Sequence, residues 1–172
     1  MNRARVCCFT GHRPEALFKD EDEYTVYNYI LIAVKDAVLD GYTQFMCGGC
    51  RGGDILFGEA VNELKKTNDN IRLICVLPYR GQAEGWPGSD RNRYADLLDA
   101  ADDVICLHDE YSKGCMHQRN RYMVDRSSLL IAAYNGTKGG TEFTVNYAKK
   151  QGLRIVNVLT PQGQQSDQLS FL

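Results

Sequence analysis

Apolar residues along this chain fall into short runs that alternate with stretches of helical periodicity. Six runs of four to seven residues are apolar or nearly so, as expected of strands that are covered on both faces. These predicted strands cover residues 5–9, 43–46, 71–77, 103–107, 128–134 and 154–159. Turn-forming glycine and proline residues follow most of them, so each run predicts one short buried strand.

Between the runs, apolar residues recur every three or four positions and predict helices near residues 27–38, 57–66 and 94–101. Residues 117–125 are predicted to form a short helix rich in arginine, and residues 144–151 a helix with Thr144, Tyr147, Ala148 and Gln151 on one face. Gly41 and Gly152 supply stop signals for the first and the last of these helices. Strands that alternate with helices indicate an α/β, Rossmann-like fold, with a mostly parallel sheet and helices on both faces. We expect residues 1–160 to form a single domain and the Gln- and Ser-rich residues 161–172 to form a flexible tail.

One turn stands out because an apolar run leads directly into four glycines and an aspartate before the next helix begins. It spans residues 46–54 and reads Met-Cys-Gly-Gly-Cys-Arg-Gly-Gly-Asp. Glycine lets a backbone approach a ligand closely, and amides at the start of a helix favour phosphate. The spacing is neither that of a Walker A loop nor GxGxxG, so a tight turn without a ligand is the alternative.

Three unusual loops, at residues 10–14, 48–54 and 136–141, each follow a predicted strand. The carboxyl ends of parallel strands meet at one rim of a sheet, and ligands bind there where the strand order reverses. We therefore predict that these loops together bind a nucleotide or another anion. The predicted ligand-binding residues of the loops are Thr10, Gly11, His12, Arg13, Gly48, Gly49, Arg51, Gly52, Asp54, Gly139, Gly140 and Thr141.

Each polar residue in these loops also has a simpler interpretation. Arg13 and Arg51 either pair with phosphate oxygens or are solvated surface arginines. Asp54 either accepts a hydrogen bond from a ribose hydroxyl or caps its helix, and Thr141 either contacts phosphate or acts as an N-cap. His12 has no identifiable acid or base partner, so contact with phosphate or solvent is the preferred interpretation.

Composition narrows the class of partner. A net charge of −2 and a pI of about 5.9 give no overall basic field, which disfavours nucleic acid and anionic membranes as partners. No segment approaches 18 apolar residues, and the apolar run after the basic amino terminus is too short for a signal peptide. We expect a cytosolic, cytoplasmic protein that does not contact a membrane.

The cysteines suggest neither a disulfide framework nor a metal site. Seven is an odd number, and most of the cysteines lie in apolar strand-like runs. Cys47 and Cys50 have metal-ligand spacing, but no second ligand pair accompanies them, so we predict no metal and no cofactor. The long irregular stretch at residues 78–90 contains Trp86, which either stacks on a base or anchors the loop.

Further motifs extend the pattern along the chain. They are Thr10-Gly-His-Arg-Pro14, Arg121-Tyr-Met-Val-Asp125, Leu130-Ile-Ala-Ala-Tyr134 and Gly139-Gly-Thr141 with Thr144. In this order, over about residues 6–158, they resemble the YpsA-like family of the SLOG superfamily. The resemblance implies a Rossmann-like fold, an ADP-ribose-like nucleotide ligand of the kind that sensor members of the superfamily bind, and a homodimer. It also implies Arg121 and Asp125 as ligand-binding residues.

Two relatives within that superfamily supply alternative functions. Residues 116–120, Met-His-Gln-Arg-Asn, are similar to a motif of the LOG enzymes, which hydrolyse nucleoside monophosphates at the N-glycosidic bond. The similarity implies Arg119 as a catalytic residue, but Thr144 stands where those enzymes have a catalytic glutamate. The second alternative is a single-stranded DNA module like DprA, which the acidic pI disfavours.

Arg119 and Arg121 cannot both face one point, because residues two apart lie on different sides of a helix. The spacing predicts an ion pair between Arg121 and Asp125, which leaves Arg119 for the site. The resemblance favours Arg121 instead, so both arginines stay candidates.

Overall fold

The structure is a computed structural model and describes residues 2–159. Its strands are β1 (Val6–Gly11), β2 (Gln44–Cys47), β3 (Arg72–Leu77), β4 (Asp103–Cys106), β5 (Leu129–Ala133) and β6 (Arg154–Asn157). Its α-helices are α1 (Pro14–Leu17), α2 (Glu23–Leu39), α3 (Gly53–Lys65), α4 (Gly88–Ala100), α5 (Cys115–Asp125) and α6 (Gly140–Lys150). A short 3₁₀ turn, Arg3–Arg5, precedes β1.

The six strands form one sheet in the order β4-β3-β2-β1-β5-β6, and every neighbouring pair is parallel. The chain builds outwards from β1 to β4 and then crosses back, so that β5 lies beside β1 on its other side. In the register, Cys8 lies opposite Met46 of β2 and Leu130 of β5. The predicted Rossmann-like fold is confirmed, and the sheet is wholly parallel within residues 2–159. Its strand order reverses between β1 and β5.

Helices cover both faces of the sheet, which explains the nearly continuous apolar strands. Cys7 and Phe9 of β1 belong to the core beneath α2, α3 and α4, where Phe9 stacks on Phe57 with 4.8 Å between ring centroids. Val6 and Cys8 alternate with them and belong to the second core, beneath α5 and α6. Side chains at successive positions therefore enter opposite layers.

Some boundaries differ from those that the hydrophobic pattern predicts. Strand β1 continues through Thr10 and Gly11 because both pair with β5, and the short helix α1 follows at once with Pro14 in its first turn. The predicted irregular stretch at 78–90 ends earlier, at the start of α4. Within residues 2–159, none of the helices is long and apolar enough to cross a membrane. The predicted tail, 161–172, lies outside the described residues.

Candidate functional site

The topology brings the three predicted loops to the carboxyl rim of the sheet. The loops after β1 and β5 flank the position where the strand order reverses, and the glycine turn after β2 lies next to them. This is where ligands bind in open α/β sheets. The predicted juxtaposition of the loops is therefore present.

The glycine turn packs against the loop after β1 through backbone contacts. The Gly53 N–H donates to the His12 carbonyl at 3.1 Å. Gly52 has a φ of +87°, and a Cβ at this position would lie 2.6 Å from the same carbonyl oxygen. The close backbone approach that we predicted for a ligand is thus made, at Gly52, by the protein's own chain.

His12 joins the loops after β1 and β5. Its side chain is buried, and its Nε2 atom accepts a hydrogen bond from the Asn135 backbone N–H at 3.1 Å. The ring also meets Tyr134 edge to face. Burial lowers the pKa of His12, because it penalises the charged imidazolium. His12 therefore acts as a neutral acceptor that fixes the two loops together.

Arg119 lies beneath the glycine turn with only 3% of its surface exposed. Its Nη1 atom donates to the Gly48 carbonyl at 2.8 Å and to the Val76 carbonyl at 3.3 Å, and its Nε donates to Asn120 Oδ1 at 2.8 Å. Its Nη2 lies 3.4 Å from Cys50 Sγ. A side chain at Gly48 would collide with this guanidinium, which explains the glycine there. The predicted catalytic arginine is enclosed, and its donors face the protein.

Asp54 stabilises the turn from the first turn of α3. Its Oδ2 atom accepts a hydrogen bond from the Cys50 N–H at 3.0 Å. Burial raises the pKa of Asp54, and the positive charge of Arg119 opposes this shift. With 6% of its surface exposed, the carboxylate acts within the turn. It does not cap α3 as the simpler interpretation expected, because the N-cap position is Gly52.

Gln82 completes this buried network, and sequence reasoning did not identify it. Its Nε2 atom donates to the Gly48 carbonyl at 2.9 Å and to the Tyr94 hydroxyl at 3.3 Å. Gly49, with a φ of +72°, has no room for a larger side chain beside both residues. Gln82 lies in the irregular stretch after β3, where no periodicity or motif distinguishes it. Gln82 becomes part of the site only because the loop after β3 packs against the glycine turn after β2.

The two loop arginines have different surroundings. Arg51 donates from Nε to Asp90 Oδ2 at 2.8 Å, and its Nη1 lies 3.2 Å from Glu15 Oε1. Arg51 thus links Glu15 of α1 to Asp90 of α4, and its guanidinium is already paired with protein carboxylates. Arg13 is exposed and has no hydrogen bond or ion pair with any residue from 2 to 159. Burial raises the pKa of Asp54 and the charge of Arg13 helps to oppose this shift, but the Arg13 guanidinium donates to no protein acceptor that the structure describes.

The start of α6 presents unpartnered amides to the rim. Gly139, at φ +145°, is the N-cap, and the first hydrogen bond of the helix runs from the Phe143 N–H to the Gly139 carbonyl. The N–H groups of Gly140, Thr141 and Glu142 have no acceptor within the described chain. Thr141 is therefore not the N-cap, which was our simpler interpretation of it.

Two threonine hydroxyls accompany these amides. Thr10 and Thr141 are 6% and 7% exposed, and neither side chain has a hydrogen-bond partner among residues 2–159. Thr10 follows Cys8 on the strand face that α6 covers, and Thr141 lies one helical turn before Val145, which packs in the same core. Both hydroxyls therefore lie at the rim end of the layer between β1 and α6. Among residues 2–159 the buried side-chain atoms without a partner are Asn62 Oδ1 and His117 Nδ1, so the two threonine hydroxyls are not sealed in the core and are accessible to a ligand group.

Thr144 occupies the position of the catalytic glutamate in the motif that Gly139–Thr141 resembles. It is 1% exposed, and its hydroxyl donates to the Gly140 carbonyl at 2.9 Å. Glu142 accepts a hydrogen bond from the Tyr134 hydroxyl at 3.3 Å. Thr144 is thus a helix-bonded residue with no acid–base chemistry to offer.

The predicted ion pair between Arg121 and Asp125 is wrong. Asp125 Oδ1 accepts a hydrogen bond from the Tyr147 hydroxyl at 2.7 Å, and the Arg121 guanidinium lies 5.8 Å from the centre of the Phe143 ring. Both partners come from α6, which packs against α5. The spacing of residues within α5 carries no information about them. Asp125 is also the last residue of α5, at the end that points away from the rim. The structure does not bring it to the site.

Cys47 and Cys50 face different neighbours. Cys47 Sγ lies 4.0 Å from Cys75 Sγ on the adjacent strand, whereas Cys50 lies beside Arg119 and Gln82. Within residues 2–159, no three histidine, cysteine or acidic side chains are placed to hold a metal ion. The other aromatic candidate, Trp86, packs on the core and meets Tyr94 at 5.3 Å, as expected of a loop anchor.

Comparison with known protein families shows which family this chain belongs to. The profile of the YspA SLOG family (YpsA) matches residues 7–158. An uncharacterised SPbeta prophage-derived protein, YoqJ of Bacillus subtilis, is 33% identical over 119 residues, which cover 62% of this chain and 70% of that protein. The UPF0398 protein BH1768 of Halalkalibacterium halodurans is 27% identical over 86% of this chain and 82% of its own length.

Solved structures with the same fold are more distant in sequence. DNA processing protein A (DprA) from Streptococcus pneumoniae superposes with a TM-score of 0.64 at 16% identity over 98% of this chain. DprA from Helicobacter pylori gives a TM-score of 0.61 at 17% identity over 90% of this chain. The chain spans only 55% and 64% of those two proteins. Protein TM1055 gives 0.57 at 13% identity, covering 88% of this chain and 72% of that one. These similarities establish the fold.

Proposed function

The chain belongs to the YspA SLOG family, and from this premise we propose that it binds a nucleotide-derived ligand of the ADP-ribose type at the carboxyl rim between β1 and β5. Membership of this family and the fold shared with DprA support a nucleotide-related binding role. The rim is also the ligand position of comparable sheets. The ligand would enter between the loops after β1 and β5.

One observation carries the proposal. The unpartnered hydroxyls of Thr10 and Thr141 lie beside the three free amides at the start of α6. Amides at a helix N-terminus hold anions through hydrogen bonds and the helix dipole. A phosphate oxygen would satisfy both kinds of group, and the absence of a Cβ at Gly140 leaves open space in front of them.

Few arginines are available to supply positive charge to a bound phosphate. Arg13 is exposed at the mouth of the site and is not paired with a carboxylate of residues 2–159. Arg51 and Arg119 are held by protein acceptors, so they shape the loops instead. Arg121 is exposed beside Phe143 in the first half of α6, and it remains a candidate for the rest of the ligand.

Binding without hydrolysis is the form of activity that we propose. N-glycoside hydrolysis proceeds through an oxocarbenium-like state that a carboxylate stabilises. Thr144 cannot do this, since its hydroxyl is buried and bonded to its own helix. Asp54 is enclosed in the glycine turn, so it is not available to a substrate either.

A charge placed in the site tests the proposal. Gly140→Asp fits sterically because nothing lies within 4 Å of its added Cβ, and an acidic residue suits the first turn of a helix. We expect the variant to unfold at the wild-type temperature or above. Its carboxylate would compete for the free amides, so thermal shifts with AMP, ADP-ribose, NAD or inorganic phosphate should disappear.

Asn146→Asp is the matched control, because it adds the same charge to an exposed position of the same helix. A ligand at 100 times its Kd raises the free energy of unfolding by about 2.7 kcal/mol, which a thermal melt detects readily. The control should keep the shift that the wild type shows. Equal shifts in wild type and Gly140→Asp would refute the site, and a panel without any shift would refute the ligand class.

A further inference from the structure

The edge of the sheet opposite the rim carries a concentration of positive charge. All strands begin at this edge because the sheet is parallel. The helices that connect the strands run in the opposite direction, so they end at this edge. Lys65, Lys66 and Arg72 lie at this edge by the end of α3 and the start of β3. A second group of six basic residues, hereafter the basic edge, consists of Arg3, Arg5, Arg126, Lys149, Lys150 and Arg154. They lie around the starts of β1, β5 and β6 and the ends of α5 and α6. The net charge of −2 for the whole chain conceals this local excess.

Hydrogen bonds connect the chain segments that carry these residues. Arg3 Nε donates to the Ser127 carbonyl at 2.7 Å, and its Nη2 donates to the Gln151 carbonyl at 3.5 Å. Arg3 therefore bridges the residues that follow α5 and α6. The Arg154 N–H donates to the Ser128 carbonyl at 3.1 Å, and the Ser128 hydroxyl donates to the Ala4 carbonyl at 3.2 Å.

Asp40 and Asp125, at the ends of α2 and α5, balance part of the positive charge of the basic edge. Arg154 pairs with Asp40 at 2.9 Å, which is the sole ion pair that any of the six makes within residues 2–159. Arg3 donates only to carbonyls, and Lys149 and Lys150 are exposed without any partner. Basic residues at helix ends offset the helix dipole, which accounts for the two lysines. Arg3 acts at the same helix ends through the Ser127 and Gln151 carbonyls. The helix dipole does not account for Arg5, which precedes the first strand.

An aromatic ring lies under one of these charges. The guanidinium of Arg126 lies 3.5 Å from the centre of the Tyr122 ring, and its Nη1 donates to the Tyr122 carbonyl. Arg126 is exposed, so the outer face of its planar group is free. Unpaired nucleobases stack on such planar groups, while lysines and arginines nearby contact the phosphates.

We propose that the basic edge binds single-stranded nucleic acid, independently of the nucleotide site at the rim. The phosphates would contact the lysines and Arg5, and a base would stack on Arg126. An anionic membrane fits less well, because insertion requires apolar area. Of the exposed large apolar side chains described, only Leu39 adjoins this edge, next to Asp40.

A triple variant tests the assignment. Arg5→Gln, Lys149→Gln and Lys150→Gln together remove three charges whose side chains make no contact that folding requires. Lys19→Gln, Lys35→Gln and Lys113→Gln form the control, since all three are exposed and none lies at this edge. Binding of a fluorescent single-stranded oligonucleotide is followed by anisotropy over a range of salt concentrations, with vesicles of anionic lipid in parallel.

For the wild type we expect an affinity that falls steeply with salt. Each phosphate contact in a single strand contributes about 0.7 to the slope of log K against log salt. The triple variant should therefore lose about 2 from the slope and bind about tenfold or more weakly at low salt, while the control binds like the wild type. Equal losses in variant and control would overturn the site, and so would vesicle binding without oligonucleotide binding. Retained oligonucleotide binding by Gly140→Asp would show the two sites to be separate.

Discussion

The guanidinium of Arg119 contacts three oxygens and one sulfur of the protein, and almost none of it reaches solvent. Replacing Arg119 with alanine would leave the Gly48 carbonyl with Gln82 as its one side-chain donor, would remove the donors to the Val76 carbonyl and Asn120, and would remove the cation that opposes the burial of Asp54. We expect a loss of about 3 kcal/mol or more in the free energy of unfolding, measured with denaturant.

Arg121→Ala is the control for this substitution, because Arg121 is exposed on the same helix and contacts only the Phe143 ring. Its cost should stay below about 1 kcal/mol. If Arg119→Ala proved as stable as Arg121→Ala, the structural role assigned to Arg119 would be wrong.

The buried ring of His12 predicts a dependence of stability on pH. Burial lowers its pKa in the folded protein, so the unfolded chain binds the proton more readily. The stability that the neutral ring supplies is present above the unfolded pKa of about 6.5 and is lost as the pH falls towards the folded pKa.

His12→Gln keeps an acceptor for the Asn135 N–H but does not titrate. The difference in free energy of unfolding between wild type and this variant should therefore shrink from pH 8 to pH 5. A difference that stays constant over this range would show that His12 is not held neutral.

At the scale of elements, the loop after β1 and the glycine turn act as one unit, because Gly52 and Gly53 contact the His12 backbone. Gly52→Ala would combine an unfavourable left-handed conformation with a collision against the His12 carbonyl. Gly136 has a similar φ of +91° but open space around it, so Gly136→Ala isolates the conformational cost.

We expect Gly136→Ala to cost about 1–2 kcal/mol, and Gly52→Ala to cost at least about 1 kcal/mol more. Denaturant titration of both variants gives the comparison. Equal costs would mean that the two loops separate easily, and the rim would then be less fixed than the contacts indicate.

At the scale of the whole molecule, both layers of core share the same strands, so unfolding should be cooperative. Trp86 reports on the loop after β3, because it packs against the core and Tyr94. We expect denaturant curves from Trp86 fluorescence and from far-UV circular dichroism to coincide. An earlier fluorescence transition would show that the loop opens independently and that Trp86 does not anchor it. The single domain over residues 1–160 and the homodimer stay predictions.

The class of fold and the meeting of its loops at one rim can both be predicted from the hydrophobic pattern of the chain. Short apolar strands alternating with amphipathic helices require a covered parallel sheet, and a parallel sheet places the loops after its strands on one rim. These are consequences of local periodicity and chain connection, so one sequence is sufficient to predict them. The family followed from the order of the motifs in those loops, which the profile match confirms.

Tertiary structure alone decided which polar residues are free. Arg13, Arg51 and Arg119 look alike in sequence, yet packing leaves the first exposed, pairs the second with Asp90 and Glu15, and buries the third beneath Gly48. Gln82 entered the site from a loop without any motif. The partners of these groups lie tens of residues away along the chain. Local propensity carries no information about them, because burial and hydrogen bonding are fixed only when the layers assemble.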